Sequence, residues 1–146
     1  MKLRSIVVIF TAFVTLPLVA TAAQPPTCLA RGESSFLAFS RQQFNKASAD
    51  FTPLLSSTFT PAALRQAWSV MEIHAGKFET LGSFAPRDVK GNKRFVAPMK
   101  FSKMVIAAVF SCDASGQINV WMLLDPVTNP GLLPTALGAV KNRAVP

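Results

Sequence analysis

At Gly76 the spacing of apolar residues along the chain changes from helical to strand-like. Upstream, Leu64, Trp68 and Met71 recur at helical spacing behind Thr60, a residue type that caps helix N-termini, and Pro61, which suits the first helical position. Gly76 stands where a left-handed residue would end the element, so the spacing predicts a helix over Pro61–Ala75. An earlier stretch, residues 31–47, sets Phe36, Leu37, Phe44 and Ala47 near one helical face with Phe39 at its edge. Arg41, Gln42, Asn45 and Lys46 fall largely elsewhere, the pattern of an amphipathic helix. A short helical or turn segment is expected over residues 47–57, interrupted by Pro53.

Past Gly76 the segments 77–84, 94–101, 104–112 and 117–124 are rich in Val, Ile and Phe and are separated by turn residues. Lys90-Gly91-Asn92-Lys93 reads as a turn, and Asp113-Ala114-Ser115-Gly116 as a hairpin connection that needs a positive φ at its glycine. In the last strand Ile118, Val120, Met122 and Leu124 alternate with Gln117 and Asn119, which predicts one buried face. Trp121 and Leu123 then fall on the other face and suggest a second covered surface. Helices followed by a run of antiparallel strands predict an α+β fold, with N-terminal helices packed on a curved antiparallel sheet of about four strands.

The first 23 residues have the layout of a secretory signal peptide: Lys2 and Arg4, an apolar run from Ile6 to Val19, then Ala20-Thr21-Ala22-Ala23. Cleavage after Ala22 or after Ala23 fits equally well. Pro17 interrupts the run and Pro25-Pro26 follow it, against an uncleaved anchor, and Cys28 lacks the flanking residues of a lipoprotein site. Removal of residues 1–23 lowers the net charge of the 146-residue chain from +8 to +6. A secreted or periplasmic location is oxidising, so Cys28 and Cys112 are expected to form a disulfide, with two buried thiols as the alternative. Residues 24–28 then form an extended lead-in, 29–126 the single domain, and 127–146 a tail rich in Pro and Gly.

The order Phe44, Phe51, a Pro61–Leu64–Trp68 helix, Gly76, strands around Phe101 and Cys112-Asp113, and Gly116-Gln117-Ile118 opening the last strand resembles the family known as domain of unknown function 3887. The resemblance runs from about Leu29 to Pro126. It implies a nuclear-transport-factor-2-like, cystatin-like cone fold in an exported bacterial protein, where the module often precedes an α/β-hydrolase. No Gly-x-Ser-x-Gly elbow occurs in the chain and no hydrolase is expected after the module, so no catalytic residues carry over. Asn119-Val120-Trp121 departs from the glycine-containing segment common in that family.

His74 is the single histidine and, with Asp50, is the candidate general base of an isomerase-like site inside such a cone; a histidine near a helix C-terminus also simply favours the helix dipole. Phe36, Phe44, Trp68, His74, Met99 and Trp121 are candidates to line an apolar pocket, or to be plain core. Arg87, Lys90, Lys93, Arg94, Lys100 and Lys103 oppose only Asp88, a net +5 within 17 residues. They form a candidate patch for an anionic envelope surface, or a charged edge that blocks sheet aggregation. No metal site, cofactor, nucleic-acid partner or membrane span after cleavage is expected. The function expected is an exported, non-catalytic accessory domain that binds a protein partner or itself through the sheet face. The alternative is a small-molecule-binding or isomerase-like enzyme using the cone interior.

Overall fold

The computed structural model describes residues 26–133. The expected signal peptide and residues 134–146 of the expected tail lie outside the described residues. Four helices precede five strands: α1 (Cys28–Ser40), α2 (Phe44–Ala47), α3 (Pro53–Thr58), α4 (Pro61–Ala75), β1 (Phe78–Leu81), β2 (Ala85–Val89), β3 (Asn92–Phe101), β4 (Val105–Cys112) and β5 (Ile118–Leu124). The class is α+β, an open antiparallel sheet in the order β1-β3-β4-β5, with β2 also paired to β3.

The N-terminal stretch is two helices, not one. Thr27 caps α1 through its side chain, so helix begins at Cys28, inside the expected extended lead-in. The chain breaks at Gln42, whose φ of 60° is left-handed, and re-enters helix at Phe44. The buried Ser35 hydroxyl donates to the Ala47 carbonyl at 2.6 Å and ties α1 to α2. Thr52 caps α3, which Pro53 opens rather than interrupts. Helix α4 has the predicted bounds, with Thr60 accepting from Ala63 N at 3.2 Å. Gly76 ends it with φ 82° and ψ −161°, a region essentially reserved for glycine.

The sheet has five strands where about four were expected, because Pro98 lies within β3. Its carbonyl accepts from Gly82 N at 2.8 Å, but proline has no N–H to return. The ladder on that edge breaks there. From Gly82 to Ala85 the chain advances three positions while β3 advances two, from Pro98 to Val96. Residues 78–89 therefore form two strands, β1 against the end of β3 and β2 against its start. Pro86 is tolerated because β2 lies at an edge. The β2–β3 turn is the two residues Lys90 and Gly91, both at positive φ.

A second irregularity sets the phase of β5. Cys112 pairs with Ile118 but Ser111 pairs with Val120, so Asn119 is an extra residue. Such a bulge reverses the alternation beyond it. Ile118, Trp121 and Leu123 consequently face the helices, while Met122 and Leu124 pack on the opposite side with Val105, Val109 and Val96. The expected strict alternation from Ile118 to Leu124 is thus corrected. The outer side also receives Leu132 and Leu133, both buried, from the segment after β5.

A disulfide joins Cys28 to Cys112, with Cα atoms 5.9 Å apart and a separation of 84 positions in sequence. It fastens the start of α1 to the end of β4. Among the described residues no helix is long and apolar enough to cross a membrane.

Candidate functional site

The residues expected to line an interior pocket form the main core. Trp121 is 2 % exposed, stacked on Phe36 with ring centroids 4.5 Å apart and planes 7° from parallel, and meets Phe39 edge-on at 4.9 Å. Trp68 is equally enclosed, edge-on to Phe39 at 5.2 Å. Phe44 and Met99 belong to the same buried cluster. Both indole nitrogens, Trp68 Nε1 and Trp121 Nε1, are buried without a hydrogen-bond partner among the described residues. Trp121 therefore presents no surface to a second copy of the chain, and the self-association expected through it loses its anchor.

His74 lies apart from this core. It is exposed near the end of α4, between exposed Ile73 and buried Ala75. Asp50 is half-buried, 4.0 Å from Arg31 Nη1, and its backbone carbonyl accepts from Ile118 N. Neither residue lines the apolar clefts of the molecule. Among the described residues no three of His, Cys, Asp and Glu come together as a metal-ligating group.

The six basic residues do not form one patch. Arg87, Arg94 and Lys100 share the outer face of the sheet by register. Lys90 sits in the turn and Lys93 opposite Asp88 on the alternate face. Lys103 lies at the far end of β3, its backbone N–H donating to Ala75 O at 3.0 Å. Lys100 is paired with Glu79 at 2.9 Å. Arg87 and Arg94 are direct cross-strand partners, and among the described residues neither has a carboxylate within ion-pair reach. Arg94 reaches the Met122 sulfur at 3.9 Å.

What the outer face gathers is a cleft of about 620 Å³. Its floor is Val96, Pro98 and Val105; Leu132 and Leu133 wall one side, and Gly82, Ser83 and Ala85 the other. Arg87 lines one end, and Thr80 and Lys100 the other. The ladder break opposite Pro98 creates it, because Gly82 and Ser83 step out of strand geometry and Phe84 turns inward against Phe36 and Phe110. A side chain at Gly82 would collide with the Pro98 ring. The volume falls within the ~300–1,000 Å³ of small-molecule sites, and the lining has their usual make-up of apolar walls with a few polar groups.

This cleft was not among the sites expected from sequence. One signal was present: a proline inside the longest strand, which in a central strand implies a break in one neighbour. Leu132 and Leu133 carried none, being part of an irregular segment. A second, shallower apolar cleft of about 530 Å³ lies between α4 and the end of β5, lined by Val70, Met71, Met104 and Leu123 among others. The chain matches no family model, no curated protein and no solved structure.

Proposed function

We propose that this is an exported, non-catalytic accessory domain that works by binding through the outer face of its sheet. The observation that carries the reading is the contrast between the two faces. The helix-covered face is filled by aromatic rings, whereas the outer face keeps an apolar cleft walled by a segment from beyond the sheet. Helices packed on one side of an antiparallel sheet are also part of the cystatin-like cone of the resembled family, and we include that fold identity in the proposal. The Cys28–Cys112 disulfide supports an oxidising, secreted or periplasmic setting.

The alternative enzyme needs a tuned base in a water-excluding pocket. His74 is exposed, and the candidate pocket residues pack against one another, so that reading has less support. The test is an environment-sensitive apolar dye titrated into the folded protein. Ser83→Trp, at an exposed lining position, should abolish saturable dye fluorescence. Ala63→Trp, in the α4 cleft, should leave it unchanged. The converse pattern, or saturable binding indifferent to both, overturns the outer-face reading.

A further inference from the structure

We infer that the outer-face cleft binds a long-chain carboxylate, its head group held by Arg87 and its alkyl chain laid along β3 toward Lys100. The inference deepens the proposed binding function and rests on it.

The shape argues for a long, thin ligand. From Arg94 to Lys100 is six residues of strand, about 20 Å at ordinary rise, and Val96 and Pro98 lie between them on the same face. The chemistry of the floor argues against an extended peptide. Strand β3 is paired on both edges, to β1 and β2 on one side and β4 on the other. Its backbone groups are spent in the ladders, so a peptide laid across the floor would bury its own amides without partners there. An alkyl chain carries no such groups and matches Val96, Pro98, Val105, Leu132 and Leu133.

Charge sets the direction. At the Thr80 end, Lys100 is already neutralised by Glu79. At the other end Arg87 lines the cleft with no carboxylate in ion-pair reach among the described residues, while the guanidinium of its cross-strand neighbour Arg94 reaches the other way, to the Met122 sulfur. Asp88, the nearest acid in sequence, is turned away and accepts from Gly91 N at 2.7 Å. A carboxylate at Arg87 supplies the missing counter-charge and takes the planar, two-pronged hydrogen bonds that guanidinium favours.

The test is calorimetric titration of the folded, disulfide-bonded protein with hexadecanoate, hexadecanol and acetate, each below its micelle concentration. Hexadecanoate should bind one to one and roughly tenfold or more tighter than hexadecanol, the scale of a charge-assisted contact, with acetate not measurable. Arg87→Gln should reduce hexadecanoate to the hexadecanol level and leave hexadecanol unchanged. Arg87→Lys should restore part of the difference, and Arg94→Gln, outside the cleft lining, should leave both affinities unchanged. Equal affinity for acid and alcohol, or indifference to Arg87→Gln, overturns the ligand assignment. If neither long-chain compound binds while the apolar dye is still displaced by Ser83→Trp, the ligand class fails and the outer-face reading survives. If the dye is not displaced, the outer-face reading itself fails.

Discussion

A single hydrogen atom decides how closely α1 can lie on the sheet. At Gly32 a Cβ would overlap the Phe110 ring. Glycine inside a helix ordinarily costs about 1 kcal/mol relative to alanine, so Gly32→Ala would stabilise an isolated helix. Here the collision reverses the sign, and Gly32→Ala is expected to destabilise by about 1–3 kcal/mol, the usual cost of overpacking, measured by urea unfolding. The Asp113 carboxylate acts just as locally. Its Oδ1 accepts from the Ser115 hydroxyl at 2.7 Å, from Ser115 N at 2.9 Å and from Gln117 N at 3.0 Å, which builds the turn into β5. The Ser115 hydroxyl is the largest influence holding its pKa below the ordinary 3.8, with the backbone amides reinforcing it against partial desolvation. A carboxyl held lower in the folded state stabilises fully above its ordinary value, and that contribution is lost as pH falls through the folded-state value. Asp113→Asn should therefore lower Tm at about pH 7, and the gap should close near pH 2. Gly32 was not legible in the sequence, because its partner Phe110 is brought close only by folding; the Asp113 turn was, because its bonds run only two and four positions along the chain.

Among the elements, legibility followed local chemistry. Helix α4 was readable to the residue because its cap, first proline and terminal glycine are all local signals. The register of β5 was not, because a bulge is decided by the pairing strand. Asn119 as the extra residue turns Trp121 inward and Val120 outward. Trp121→Ala should thus cost about 3–5 kcal/mol, the range for a buried aromatic truncated to alanine. Val120→Thr, half-buried on the opposite face, should cost no more than about 0.5 kcal/mol. Chemical denaturation of the two variants checks the phase, and comparable losses from both would contradict it. The split of β1 from β2 has the same origin, since only the pairing of Pro98 with its neighbour shows where the ladder must fail. Capping at α4 offers a smaller check: Thr60→Ala should lower stability by about 1 kcal/mol.

For the molecule as a whole, the Cys28–Cys112 bond spans most of the domain, from the first helix to the fourth strand. A loop of this length gives up to about 4.5 kcal/mol in the chain-entropy model, so the Cys28→Ser, Cys112→Ser double variant should lose a large share of the protein's stability, read as a fall in Tm matched by reduction of the parent. The α+β class and the division of helices from strands were legible from the change of period at Gly76. The binding face was not, because it is assembled from a broken ladder and from Leu132 and Leu133, far apart in sequence. The proposed function makes one spatial claim above all, that ligands enter on the face of the sheet opposite the helices. An amide chemical-shift titration of the parent protein with the apolar dye tests it directly. Shifts should concentrate on Thr80, Ser83, Ala85, Val96, Val105 and Leu132, with α4 and the Phe36–Trp121 core unmoved. A footprint centred on α4 and the aromatic core, with those six amides silent, would contradict it.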